Sequence, residues 1–446
     1  MKAFKAYDIR GVYGRDFTAS DVEKIGYFLP KLLKADTVLV GRDARASSPE
    51  VFEALCRGIT SGGADVVSIG LSTTPTIYFT VATKGFDASV QITASHNPPE
   101  YNGLKVCRTG AIPVDYSTGL ADLQKMCETE EIVPVPTRGT VHEIDVRGDY
   151  LDFLRHWLPD LSGLRIGIDC SNGMAALLIK ELLGPDPIYI HSEIDGTFPN
   201  HQPNPLEEKN CADIKKLVID NQLDIGLIFD GDADRLMFID ERGRYVQPDL
   251  ITAVLAEYYL AKEKGRVLHD IRTSKAVTER IIELGGEPHM WKVGHSFAKV
   301  KMRELGCIVG GELAGHYYFR DFFNCDSGIL AGLIVLSVVA KLKAAGKPFS
   351  SCIDGLMRYA NSGEINFRVK AKDEAIAAVV KKLITEKTPQ AIYDFDGVRL
   401  EFDDWWVSVR SSNTEPWLRV VIEADNETLL AEKRAAIEKV LAEFVQ

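Results

Sequence analysis

The same order of elements recurs three times along this chain, and that repetition limits the fold more than any single residue does. Each repeat opens on a short apolar run that reads as a strand: Thr37-Val-Leu-Val-Gly, Arg165-Ile-Gly-Ile-Asp and Arg266-Val-Leu-His-Asp. A polar loop containing serine comes next (Arg45-Ala-Ser-Ser-Pro, Ser171-Asn-Gly, Arg272-Thr-Ser). A helical period then covers 51–60, 175–183 and 276–284 and stops at glycine: Gly62 and Gly63, Gly184, Gly285 and Gly286. Second strands are expected at 65–69, 187–190 and 288–291. After a further helical segment come third strands at 86–92, 223–229 and 307–309. Short apolar runs alternating with helical periods predict open α/β sheets, which bind ligands beyond the carboxyl ends of their strands.

From residue 361 onward the pattern changes. Alternation over 365–369, two strands flanking 411–414 and a closing helix from Glu427 predict a smaller α+β unit. The expectation is an α/β chain of three similar open α/β domains, at 1–150, 151–250 and 251–360, plus a smaller C-terminal α+β domain at 361–446. A central cleft faced by all of them is the simplest arrangement that gathers the segments leaving each third strand.

Those three segments are chemically loaded: Thr93-Ala-Ser-His-Asn-Pro, Asp230-Gly-Asp-Ala-Asp-Arg and Gly311-Glu-Leu-Ala-Gly-His. Asp230, Asp232 and Asp234 place alternate carboxylates in one loop, which suits a hard divalent cation. An EF-hand is excluded, because its sixth position requires glycine and holds Arg235 here, between strands rather than helices. Ser95 stands in a loop closed by Pro98-Pro99, without the G-x-S-x-G elbow of serine hydrolases. Opposite a metal loop, such a serine can carry a phosphate whose charge the metal offsets. Lys105 can act as a general acid or base there if the site lowers its pKa. Glu312 and His316 can bond sugar hydroxyls, and Arg410-Ser-Ser-Asn-Thr-Glu-Pro offers hydroxyls, an amide, backbone N–H groups and a guanidinium for an anion, with Arg419 assisting.

The net charge of −12 argues against a nucleic-acid or anionic-membrane surface, so an anionic substrate has to be met by a locally basic pocket. Residues 1–14 carry charges and no apolar signal core, and the longest apolar stretch, 329–342, is too short to span a bilayer and reads as a buried helix. The eight cysteines are scattered without a C-x-x-C pair, which reads as structural burial in a reducing, cytoplasmic compartment.

Taken together, Tyr7-Asp-Ile-Arg-Gly, the Ser95 loop, the three-aspartate loop, the segment from Glu312 to His316 and the segment from Arg410 to Pro416 resemble, in order and over essentially the whole chain, the α-D-phosphohexomutase family. The resemblance implies four domains around one cleft and a small-molecule phosphosugar substrate. It further implies Mg²⁺ held by Asp230, Asp232, Asp234 and the phosphate on Ser95, and a hexose 1,6-bisphosphate that serves as intermediate and activator. It assigns Arg10, His96, Lys105 and Arg235 to the transferring phosphoryl group. Tyr7, Arg272, His295, Glu312 and His316 fall to the sugar side, and Arg410, Ser412, Asn413, Thr414 and Arg419 to the phosphate that is not reacting. Ala314 stands where the family usually has serine, and Arg272 where it often has lysine. The segments 99–105, 316–322 and Ser-Asn-Thr in the clamp look most like the branch acting on mannose phosphates, with glucose phosphates, or both sugars, the close alternative and glucosamine phosphate the more distant one.

Overall fold

A computed structural model, which describes residues 1–412 and 417–445, gives each repeat the same sheet. The first strand of each repeat is central. Thr37–Arg42 runs parallel to Asp65–Leu71 on one side and Ala88–Ile92 on the other. Ile166–Asp169 lies likewise between Ile188–Ile190 and Ile225–Phe229, and Arg266–Asp270 between Glu287–Trp291 and Val309–Gly311. Every third strand then turns back on an antiparallel return strand that the sequence reading does not anticipate: Tyr101–Arg108, Leu236–Asp240 and Tyr317–Phe319. The three loaded segments are therefore the turns of three equivalent antiparallel pairs, at the carboxyl ends of three parallel strands.

Two local expectations shift. The third strand of the last repeat runs Val309–Gly311, two residues later than expected, because Val309 pairs with both Val267 and Phe319. Gly311 thus belongs to the strand, and the turn begins at Glu312. A β-carbon on Gly311 would stand 2.1 Å from the Thr252 hydroxyl, so the bare backbone is what lets this strand lie against the helix Pro248–Leu260. In the second repeat the expected helix splits into a 3₁₀ turn, Met174–Leu177, and a short helix, Ile179–Leu183. Leu178 at φ −121° leaves the helical region, and Met174 N–H bonds Gly231 in the aspartate loop at 2.9 Å instead.

The apolar run at 329–342 lies in the helix Gly328–Ala344, buried over most of its length, as its all-round hydrophobicity requires. No helix among the described residues is long and apolar enough to cross a membrane. Seven of the eight cysteines are buried, Cys352 is half-buried, and all are free thiols. One continuous apolar core joins the second and third sheets and takes in Leu39, Tyr78, Val81 and Cys107 from the first.

The fourth unit is separate. Its five strands are all antiparallel, in the order Ala360–Arg368, Trp417–Ala424, Trp405–Ser411, Val398–Glu401, Ala391–Tyr393. The helices Lys372–Glu386 and Glu427–Leu441 cover one face and close a core of its own. Polar contacts tie it to the third unit. Arg399 donates to the carbonyls of Ile271 and Thr273 (2.9 and 2.8 Å), Glu423 accepts from the Lys275 N–H (2.8 Å) and Asp396 from the Val293 N–H (2.9 Å).

Gly311→Ala is expected to lower folding stability by about 1–3 kcal/mol through overpacking against Thr252, read as a fall in the thermal midpoint. Pairing it with Thr252→Ala should recover part of the loss, and equal midpoints for wild type and Gly311→Ala would show that the strand does not depend on the bare backbone there.

Candidate active site

The three turns converge. Ser95 is buried and sits at φ +52°, a left-handed conformation that costs a serine on the order of 1–3 kcal/mol unless the surroundings enforce it. Arg45 enforces it. Its Nη1 donates to the carbonyls of Pro98 (2.6 Å) and Tyr101 (3.1 Å), and its Nη2 to those of Ser95 (2.9 Å) and Asn97 (2.7 Å). So posed, the Ser95 hydroxyl donates to Asp230 Oδ2 at 2.8 Å and lies 3.3 Å from His96 Nδ1. The first and second units thus meet at the serine oxygen.

Asp230, Asp232 and Asp234 are fully buried and each brings an oxygen within 4.8 Å of the others. Lys105 Nζ, also buried, bonds Asp232 Oδ2 at 2.7 Å and bonds Asp234 Oδ2 as well, and Thr74 donates to Asp232 from its hydroxyl. Burial, with Asp232 and Asp234 beside it, pushes the Asp230 carboxyl well above the usual carboxylate range. Burial pulls the Lys105 ammonium down, but Asp232 and Asp234 outweigh it and leave its pKa raised, opposite to the lowering that a proton-transfer role requires. Asp234 is held low: burial opposes its charge, and Lys105 and His316 prevail. Three carboxylates thus face one ammonium, and Asp232 Oδ1 and Asp234 Oδ1 are buried without a hydrogen bond. This donor set, all oxygen and short of positive charge, fits a hard divalent cation.

The third turn closes on the second. Arg235 and His316 form a bridge between their backbones, and the Leu236 N–H bonds the Gly315 carbonyl at 3.2 Å. Arg235 Nε–H donates to His316 Nε2 at 2.9 Å, so that nitrogen is an acceptor and the proton sits on Nδ1, 2.7 Å from Asp326 Oδ2. Lys299 Nζ lies 2.7 Å from the other Asp326 oxygen. Arg10 reaches Asn97 Oδ1 at 2.9 Å and pairs with Asp8. His295 stacks on His316 with ring centroids 5.6 Å apart, and its pKa, like that of His96, is driven down by burial and neighbouring cations. Tyr7 packs edge-on against His295 and bonds the Val293 carbonyl at 3.2 Å.

Other residues singled out from the sequence point elsewhere. Both Glu312 oxygens have protein partners, the Gly294 N–H (2.6 Å) and the Tyr318 hydroxyl. Arg272 grips Asp270 and reaches Glu364 of the fourth unit at 3.0 Å, and Arg419 meets the same carboxylate at 3.2 Å. Burial works to raise the Glu364 pKa, yet these two guanidiniums hold it low. Arg410 lies 3.2 Å from Asp396, and the Ser412 carbonyl accepts from Lys372 at 2.9 Å. Arg272, Arg410 and Arg419 therefore gather as a second basic group where the third and fourth units meet. Asn413 and Thr414 lie outside the described residues. The sequence reading missed Arg45 as the brace of the Ser95 turn, along with Thr74, Asp326 and Lys299. Only Arg45 carried a signal, its place in the first polar loop.

Comparison with known proteins bears on what this assembly is. Models of phosphoglucomutase/phosphomannomutase match four successive stretches: alpha/beta/alpha domain I over residues 1–131, domain II over 149–243, domain III over 247–359 and the C-terminal domain over 364–440. The phosphomannomutase of Salmonella montevideo is 38% identical over 448 aligned residues, covering 97% of each chain. A Xanthomonas campestris protein described as phosphohexose mutases is 34% identical over 444, again covering 97% of each. Among solved structures, a phosphoglucomutase/phosphomannomutase family protein from Burkholderia thailandensis aligns with a TM-score of 0.90 at 30% identity, over 99% of this chain and 97% of that one. With all four family domains present in order and relatives matched from end to end, the chain belongs to the α-D-phosphohexomutase family and is a phosphohexomutase.

Proposed function

We propose that this phosphohexomutase interconverts mannose 6-phosphate and mannose 1-phosphate, with Ser95 as the residue that carries the transferred phosphoryl group. The observation behind this reading is the bond of the Ser95 hydroxyl to Asp230 within the buried three-aspartate cluster. A serine held in a strained turn against carboxylates that need a cation is a poor place for a neutral hydroxyl and a good one for a phosphate shared with a metal. Asp230, Asp232, Asp234 and the Ser95 phosphate would hold Mg²⁺. Bound there, the ion would neutralise charge on the transferring group.

The reaction has two balanced halves. A free hydroxyl of the sugar monophosphate forms a new P–O bond as the bond from phosphorus to Ser95 Oγ breaks, giving a hexose 1,6-bisphosphate. The hydroxyl proton leaves to His96 Nδ1, which lies 3.3 Å from Ser95 Oγ, and passes to the departing Ser95 Oγ, while Lys105 stays a cation beside Asp232 and Asp234. After the sugar reverses its ends, its other phosphate returns to Ser95 by the same exchange in the opposite sense. Arg10, bonded to Asn97 of the serine turn, and Arg235, whose N–H bonds Asp230, supply cations for the phosphoryl oxygens. His316 accepts from Arg235 Nε–H and so fixes the direction of the Arg235 fork. Arg410, Ser412, Asn413, Thr414 and Arg419, with Arg272 beside them, would hold the distal phosphate. Tyr7, His295, Glu312 and His316 would border the sugar.

The choice of mannose rests on the segments 99–105 and 316–322 and on relatives named phosphomannomutase. Glucose phosphate is the second reading, since the two sugars differ only in the direction of one hydroxyl, a difference of a single hydrogen bond.

Ser95→Ala is expected to abolish mutase turnover while leaving substrate binding within a few-fold. Normal turnover by that variant would overturn the phosphoserine assignment, and intact mass of the wild type should show a single added phosphate that the variant lacks. Chelation should stop turnover and Mg²⁺ restore it. Measured side by side with catalytic bisphosphate, kcat/KM for mannose 6-phosphate should exceed that for glucose 6-phosphate by about tenfold, the worth of one hydrogen bond. The reverse order would assign the enzyme to glucose, and stoichiometric release of inorganic phosphate would make it a phosphatase.

A further inference from the structure

At the carboxyl end of the second sheet's central strand, one carboxylate and two imidazoles meet around a point that the transfer reaction does not use. Asp169 ends that strand and is fully buried, and its Oδ1 accepts from the Ser171 N–H at 2.8 Å. Its other oxygen, Oδ2, lies 3.1 Å from His201 Nε2 and 3.9 Å from His191 Nε2. One ligand atom from each of the three falls within 4.8 Å of the others. Zinc bonds of about 2.0–2.1 Å to nitrogen and oxygen set neighbouring ligand atoms roughly 3–4 Å apart, which is this spacing.

Further features of the cluster suit an ion. His201 Nδ1 donates to the Gln202 carbonyl at 2.9 Å, which aims Nε2 at Asp169 Oδ2, its hydrogen-bond partner 3.1 Å away; a metal would take the place of the proton between them. That orientation is what outer partners of metal-bound histidines impose. His191, at φ +46° with its carbonyl accepting from the Asn172 N–H at 2.7 Å, has its ring centroid 5.1 Å from that of His201. Asp213, largely exposed, adds a second carboxylate 2.9 Å from His191 Nε2. The histidine side chains are 16% and 10% exposed, so the cluster can be reached from solvent.

The geometry points to a second divalent-metal site, formed by Asp169, His191 and His201, that prefers a nitrogen-seeking ion of the zinc class to magnesium and pins the connection 192–207 to the sheet. The preference follows from two imidazole ligands in place of the all-oxygen set at Asp230. The pinned connection in turn packs on the Ser95 brace. Its Phe198 ring lies 5.0 Å from the Arg45 guanidinium, and Gly196 has no room for a β-carbon against the Ala44 carbonyl. The site therefore supports the arginine that holds Ser95.

Cobalt is the probe. The full chain, stripped with chelator and then held in a large excess of Mg²⁺ to fill the all-oxygen site, should bind one equivalent of Co²⁺. The bound ion should give a visible ligand-field band, raise the thermal midpoint and protect His191 and His201 from diethyl pyrocarbonate, read by peptide mass. His191→Gln and His201→Gln should each lose the band and the midpoint shift. A wild type without the band, or a band that survives in both variants, overturns the site. If a variant does not fold, protection in the wild type decides the matter: equal modification of the two histidines with and without Co²⁺ overturns it as well.

Discussion

The compensation of three buried carboxylates holds the centre of this molecule together. Asp230, Asp232 and Asp234 have no water to solvate them, and isolated charges in such a place cost many kcal/mol. What offsets them comes mostly from the first unit: the Lys105 ammonium from its return strand, the Thr74 hydroxyl from the start of the helix Thr74–Lys84 and the Ser95 hydroxyl from its turn, with the Arg235 N–H added by the aspartate turn itself. The remaining deficit calls for a cation. The site is built where separate sheets meet, because no single sheet could supply both the acidic loop and its counter-charges. The continuous core beneath the first three sheets fixes that meeting.

Much of this was legible along the chain because it is periodic or clustered. The threefold order of elements gave the sheets, and the runs Thr93-Ala-Ser-His and Asp230-Gly-Asp-Ala-Asp stand out as residue types seldom grouped without chemistry. What was not legible depends on distance in sequence. Asp326 meets His316 from the neighbouring strand and Lys299 meets Asp326 from a helix packed beside it, and neither carries a local pattern of its own. Lys105 shows the same limit in another way. Its position could be named, but its ionisation depends on Asp232 and Asp234, more than a hundred residues away, and they turned it opposite to the expected sense. The late start of the strand Val309–Gly311 likewise reflects partners on two other strands rather than its own apolar run.

Glu312 illustrates how a plausible sugar ligand acquires a second duty. Its carboxylate receives the Gly294 N–H and the Tyr318 hydroxyl, and so ties the turn at 293–295 to the third sheet and sets where His295 stands. A residue in that position shapes the pocket even before any hydroxyl reaches it.

The seam between the third and fourth units differs in kind from the joints among the first three. Beside the Arg272–Glu364 ion pair and the Trp291 ring stacked on Phe395, its bonds run from guanidinium and carboxylate to backbone: Arg399 to Ile271 and Thr273, Glu423 to Lys275, Asp396 to Val293. Water can take over each of those bonds one for one, whereas parting the first three sheets would expose hydrocarbon at about 25 cal/mol for every Å². The first three sheets thus share one apolar floor, and the seam to the fourth unit is where parting the molecule exposes the least hydrocarbon.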